Sequence, residues 1–174
     1  MTATNCPPVA ELIRDCGKRA EYAGGEVWEK PVPNDLHADC LVILGAALLA
    51  YGRTHNSGRP HSEWHHRLGP PDDVRVYLPD MVFVATREEI GACSDCAPPV
   101  VIEILYPEMR FNDLLDRVHF YLRNGARSVW IVDPEGRSVD VLKPDWSVLR
   151  FRHPDTLRDP LLEGFQLPLG ELFG

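Results

Sequence analysis

The chain has 174 residues, of which 44% are hydrophobic and 25% charged, the make-up of one soluble globular domain able to bury a sizeable core. Its formal net charge of −8 argues against nonspecific nucleic-acid binding through a general cationic surface, while leaving room for a local basic groove. No apolar run approaches the ~20 residues of a membrane-spanning helix. The N-terminus lacks a basic patch followed by an apolar core, so the expected location is cytoplasmic, with no membrane partner.

Residues 7–20 read as a short helix, with Val9, Leu12, Ile13 and Cys16 at helical spacing after Pro7 and Pro8. Gly24-Gly25 is a turn, and residues 26–31 alternate as a strand until Pro31 stops it. Asn34 or Asp35 caps a helix over 36–51. That helix is apolar on most faces and is expected to be packed on both sides. His37 lies in its first turn. The Gly-, His- and Pro-rich stretch 52–73 is expected to be a solvated loop around His61, His65 and His66, with a strand near 63–68.

From Tyr77 to Asp133 the chain carries its most regular signal. Met81–Val84, Val100–Leu105 and Ser128–Val132 are short runs rich in Val and Ile, bounded by Pro, Gly or Asp, as buried strands are. A connector at 85–99 and a helix separate them. The helix is capped by Asn112 or Asp113, runs to about Asn124 and is closed by Gly125. Leu114, Leu115, Val118, Tyr121 and Leu122 form its buried stripe. Asp113, Arg117 and Tyr121 stack along the margin of that stripe, where a side chain reaches a cleft beside the sheet. His119 faces solvent, and Phe120 lies opposite the buried stripe. Ser138–Lys143 and Trp146–Arg152 extend an antiparallel meander, and the tail 161–173 packs apolar anchors over the sheet. The expected architecture is a single domain over 1–174, an α/β (α+β) mixed sheet.

Asp80 heads one strand of this stretch and Glu103 lies inside the next. A carboxylate in an apolar run is costly to bury without a partner or a metal. Two on successive strands can converge on one cation, with an expected separation of ~5–8 Å. Lysine is scarce: Lys18, Lys30 and Lys143 stand against fifteen arginines, and none lies near the stretch in sequence. Five cysteines in a cytosolic chain do not read as a disulfide framework. Cys93-Ser-Asp-Cys96 has C-x-x-C spacing, but no second pair completes a four-ligand zinc site. A surface loop with incidental thiols is the preferred reading there, and zinc at Cys93 and Cys96 the lesser one.

The ordered set Pro79-Asp80, Val100-Val-Ile-Glu103-Ile-Leu105, Asp113-x3-Arg117-x3-Tyr121-x3-Gly125 and Val129-Trp-Ile-Val-Asp133-Pro134 resembles the Uma-type putative restriction endonuclease family. That family belongs to the PD-(D/E)xK nuclease superfamily and was first catalogued as a domain of unknown function. Gly25-Glu26, His37 at the head of the long helix and Gly164-Phe165-Gln-Leu-Pro-Leu extend the resemblance over nearly the whole chain. It implies a restriction-endonuclease-like core with flanking helices, Asp80 and Glu103 as ligands of Mg²⁺, DNA as substrate and a homodimer. It also implies a catalytic set of Asp80, Glu103, Arg117 and His37.

Two departures stand out. The superfamily's lysine slot, two residues after the second acid, is Leu105, and the family's alternative lysine position on the following helix is Arg117. Arginine stabilises anionic oxygen but is a poor base. The small polar residues after the second strand are replaced by Tyr106-Pro107-Glu108. Two readings result: a Mg²⁺-dependent DNA endonuclease with Arg in place of Lys, and a catalytically impaired descendant kept as a binding or assembly protein. A thiol- or zinc-based sensor at Cys93 and Cys96 is a weaker third. On the first reading Arg117→Lys raises cleavage, and the dimer surface includes Phe120.

Overall fold

The computed structural model describes residues 8–16, 18–84, 93–107 and 109–174. Cys6, Pro7, Glu108 and the 85–92 part of the predicted connector lie outside the described residues. Helix α1 (Val9–Cys16) leads to a hairpin, β1 (Ala20–Ala23) and β2 (Glu26–Glu29), turned by Gly24 and Gly25 at φ +61° and +86°. The long helix α2 (Asp35–His55) is followed by β3 (Arg59–Ser62), β4 (His65–Leu68), β5 (Arg75–Tyr77), β6 (Met81–Val84), β7 (Cys93–Ser94) and β8 (Val100–Ile104). Helix α3 (Phe111–Arg123) precedes β9 (Ser128–Asp133), β10 (Ser138–Leu142) and β11 (Val148–Arg152). The chain closes with β12 (Thr156–Leu157), β13 (Leu167–Pro168) and α4 (Leu169–Phe173).

The main sheet has the order β11-β10-β9-β8-β6-β3, with β8 and β9 parallel and the other neighbours antiparallel. Strand period decides what each face holds. Val100, Ile102 and Ile104 join Trp130, Val132, α2 and the apolar tail in one core. Val101 and Val129 join Leu114, Val118 and Tyr121 of α3 in the other. Covering both faces is what makes these strands read as unbroken apolar runs. Glu103 lies on the α3 side, in phase with Val101.

A second sheet, β2-β1-β5-β4-β7, stands beside α3. It accounts for most differences from the sequence reading. The first helix stops at Cys16 rather than at residue 20, and Ala20 opens β1, whose partners β2 and β5 supply the pairing. The stretch 52–73 is not a solvated loop. β3 pairs with β6 of the main sheet and β4 with β5 of the second, the chain changing sheets at Glu63, where φ is +49°. His65 and His66 are buried on β4. Such pairing is non-local, so no local period announces it.

The helices differ in detail. Asn34 Oδ1 accepts the His37 N–H at 2.9 Å and starts α2, as expected. Only one face of α2 is packed, however: His37, Cys40, Leu44, Leu48 and Gly52 are buried while Val42 is 71% exposed. Gly52 is required where α2 meets the following chain, since a Cβ there would sit 2.2 Å from the Gly58 carbonyl oxygen. On α3, Phe120 is not exposed. Its ring meets Tyr77 edge-on at 5.6 Å and carries the Arg75 guanidinium 4.3 Å from its centroid, because the second sheet covers that flank. This removes Phe120 as a basis for a dimer surface. The tail is pinned by buried Asp159, which accepts from Ser128 Oγ (2.5 Å) and Trp130 Nε1 (2.7 Å) and pairs with Lys143.

Candidate active site

Five parts of the chain converge at one end of β6 and β8. The β1–β2 hairpin supplies Glu21 and, just past β2, Lys30. Its attachment to β5 brings both beside Leu78, whose N–H donates to Glu21 Oε1 at 2.7 Å and whose carbonyl accepts from Lys30 Nζ at 2.8 Å. Asp80 follows two residues later, at the entrance to β6. Glu103 comes from β8, Arg117 and Tyr121 from α3, and His37 from the first turn of α2. All four sequence-predicted residues, Asp80, Glu103, Arg117 and His37, therefore share one buried cluster, and Lys30 and Glu21 join them.

Lys30 is the centre of the cluster. Its ammonium lies 2.8 Å from Asp80 Oδ1 and 3.4 Å from Glu103 Oε2, so these two oxygens are no more than about 6 Å apart. The two acids therefore lie on the same side of the sheet, within the upper limit of the ~5–8 Å expected from the sequence. Asp80 Oδ2 accepts the Ile104 N–H at 2.8 Å, which aims Oδ1 at Lys30 and at His37 Nε2, 3.0 Å away. Oδ1 is thus held between the two cationic or polar groups, while His37 Nδ1 is buried without a hydrogen-bond partner. Tyr121 donates its hydroxyl to Glu103 Oε1 at 3.0 Å.

Arg117 enters the same site but is claimed mainly by Glu21. Its two terminal nitrogens hold both Glu21 oxygens at 2.7 and 2.6 Å, a bidentate pair, against 3.4 Å to Glu103 Oε1. Trp28 Nε1 donates to Glu21 Oε2 at 3.1 Å, and the Tyr77 ring lies under the guanidinium, 4.5 Å from centroid to Cζ.

The charges set one another. Burial opposes ionisation of Asp80, but Lys30 and His37 outweigh it and hold the carboxyl well below the usual range. Burial opposes the Glu21 charge as well, and Arg117 overcomes it. Glu103 goes the other way: complete burial raises its pKa more than Lys30 and Arg117 lower it. Lys30 is buried, yet Glu103, Asp80 and Glu21 raise its pKa, so it holds its proton. The stabilisation due to Asp80 and Glu21 is thus present above the ordinary carboxylate pKa of about 4 and is lost as pH falls through their lower folded values. Glu103 has the opposite sign and blunts this dependence. Denaturant unfolding below about pH 4 should show falling stability, with a shallower acid slope in Glu21→Gln.

Outside this buried layer lies a cleft of about 560 Å³ whose lining includes Glu21, Lys30 and Arg117 with Trp28, Tyr77 and Tyr106. Glu26, Glu29, Asp113 and Asp116 stand around it. The C-x-x-C segment is elsewhere, with Cys93 on β7 and Cys96 exposed. Among the described residues no group of three or more His, Cys, Asp or Glu side chains could hold a metal ion.

A family model for Uma2, described as "Putative restriction endonuclease", matches residues 9–170. The chain belongs to the Uma2 family. Among solved structures it is similar to a "putative nuclease belonging to DUF820" from Anabaena variabilis ATCC 29413, with 23% identity over 88% of this chain and 89% of that one and a TM-score of 0.78. At that identity the comparison speaks for the nuclease-like mixed α/β fold. No curated protein matches the chain in sequence.

The sequence missed two members of this cluster. Glu21 was hidden because the residues between the helix expected over 7–20 and the Gly24-Gly25 turn carry no strand signal of their own. Lys30 was set aside because it is 73 residues from Glu103, a separation that the β1–β5 pairing cancels.

Proposed function

We propose that this Uma2 chain is a Mg²⁺-dependent DNA endonuclease whose active-site lysine comes from the N-terminal hairpin. The observation that carries the reading is the position of Lys30 Nζ, within 3.4 Å of both acids. It answers the objection raised by Leu105 and Arg117, that the site has no lysine.

The residues suit a magnesium ion. Mg²⁺ prefers hard oxygens and is commonly held by one or two carboxylates with substrate phosphate and water. The buried carboxylates of Asp80 and Glu103, now bridged by the Lys30 ammonium, are such donors. Bound there, the ion would supply an activated water and neutralise charge on the phosphate. The protein's own groups do the rest. Ile104 N–H and His37 position Asp80, and Tyr121 positions Glu103. Lys30, held protonated by its acidic neighbours, stabilises negative charge developing on the phosphate oxygens. Glu103, whose proton affinity burial raises, is suited to receive a proton. Arg117 acts mainly by fixing Glu21, and through it the hairpin that carries Lys30.

One observation favours the second reading, a nuclease fold kept for binding or assembly: four acids ring the cleft and oppose a polyanion. Supercoiled plasmid decides between them. Nicking that requires Mg²⁺, stops with chelator and falls by about 10²–10³-fold or more in folded Asp80→Asn supports the enzyme. Equal nicking by Asp80→Asn, or none by the wild type at any Mg²⁺ concentration, supports the binding protein.

A further inference from the structure

Trp28 stands beside the acid cluster without packing into the protein. It lies on β2, 38% exposed, and among the described residues it belongs to none of the buried apolar clusters. The indole is nevertheless fixed. Its Nε1 donates to Glu21 Oε2 at 3.1 Å, and Arg117 clamps Glu21 in turn. Lys30 follows two residues later. Its N–H donates to the Arg19 carbonyl at 2.9 Å, so strand pairing runs on past the end of β2. Trp28 and Lys30 therefore share one face of the strand, about 7 Å apart along it. Both line the cleft outside the buried acids, and Tyr106, just past β8, adds a second aromatic to its wall.

We infer that this cleft takes an unpaired nucleotide, its phosphate over Lys30 and its base stacked on Trp28, so that the substrate is single-stranded or locally opened DNA. The inference rests on the nuclease reading for the place of the phosphate. Three observations point to an unpaired strand. A base inside a duplex is covered on both faces by its neighbours, so an indole stacks only on a base that has left the helix. The cleft, of about 560 Å³, is the size of a small-molecule pocket, with room for a nucleotide and not for a duplex. The four acids at its rim, which oppose a duplex, suit a single strand better. A single strand carries half the charge of a duplex per length of axis. Its uncovered bases also present amino groups from which carboxylates accept. Charge thus orients the nucleotide, phosphate toward the buried ammonium and base toward the indole and the acids.

Fluorescence anisotropy of a labelled oligonucleotide of about 12–16 nucleotides, with Ca²⁺ in place of Mg²⁺, reads binding apart from cleavage. The single strand is expected to bind at least about 10-fold tighter than the same sequence as a duplex. Trp28→Ala, with folding checked by circular dichroism, should weaken single-strand binding by about 10-fold or more, and Trp28→Phe should keep most of it. An abasic strand of the same length should bind the wild type and Trp28→Ala alike. Equal or tighter binding of the duplex, no binding of either form, or a folded Trp28→Ala that binds the single strand as the wild type does would overturn the inference. Cleavage separates the two readings. Asp80-dependent nicking of plasmid at equal rates by wild type and Trp28→Ala keeps the nuclease and removes this inference. A single strand bound through Trp28 and left uncut in Mg²⁺ removes the nuclease reading and keeps the site for an unpaired strand.

Discussion

Replacing Lys30 with methionine should lower Mg²⁺-supported plasmid cleavage by about 10³-fold and, at the same time, make folding stability depend on Mg²⁺. Both effects come from one position. The ammonium is the closest cation to Asp80 Oδ1 and also bridges to Glu103. Methionine keeps much of the stem's length and apolar surface but removes the charge. Loss of one preorganised charge at a phosphoryl centre typically costs 10²–10³ in rate, and this one also holds the two acids in register. Without it the two acids lose the cation that bridges them and keep only Arg117, 3.4 Å from Glu103, and His37, 3.0 Å from Asp80, which is destabilising until a cation arrives. Thermal melting should therefore rise with Mg²⁺ in Lys30→Met, by about 5–10 °C at 100 times the dissociation constant, and by much less in the wild type. A melting temperature that ignores Mg²⁺ in Lys30→Met, with cleavage unchanged, would remove Lys30 from the site's chemistry.

Arg117→Ala should cost about 3–5 kcal/mol of folding stability in urea titration, the usual penalty for orphaning a buried charge. Glu21 is fully buried and its two oxygens are both held by this guanidinium. The aromatic contact with Tyr77 is lost with them. Arg117→Lys should recover part of the stability, since a lysine supplies the charge without the planar fork. Its effect on cleavage should be small, because Lys30 already supplies a lysine to the two acids. A large rise in cleavage in Arg117→Lys would instead mean that the α3 position is the one that matters and that Lys30 only fills space.

These expectations differ from those of the sequence for reasons that particular residues make plain. The central strands were legible because each is short, rich in Val and Ile and covered on both faces. Asp80 and Glu103 stood out because a carboxylate in such a run demands a partner. The helix carrying Arg117 and Tyr121 was legible from its period, and Asn34 from its place before an apolar helix. Glu21 and Lys30 were not, because their meaning lies in the pairing of β1 with β5, joined across Tyr22 and Val76. His65 and His66 were misjudged for the same reason: β3 and β4 belong to different sheets. The apolar outer face of α2 was taken as core because composition gives no direction; only the packed sheet shows which side is left uncovered.

On the proposed function Asp80 and Glu103 are ligands to a divalent cation, with Lys30 beside them. Diffraction from crystals grown in Mn²⁺, recorded at the manganese absorption edge, tests this most directly. The predicted result is an anomalous peak about 2.0–2.6 Å from Asp80 Oδ1 and from a Glu103 oxygen, with Lys30 Nζ displaced from its present position 2.8 Å from Asp80. Saturating Mn²⁺ with no peak between the two acids, and Lys30 still bridging them, would contradict it.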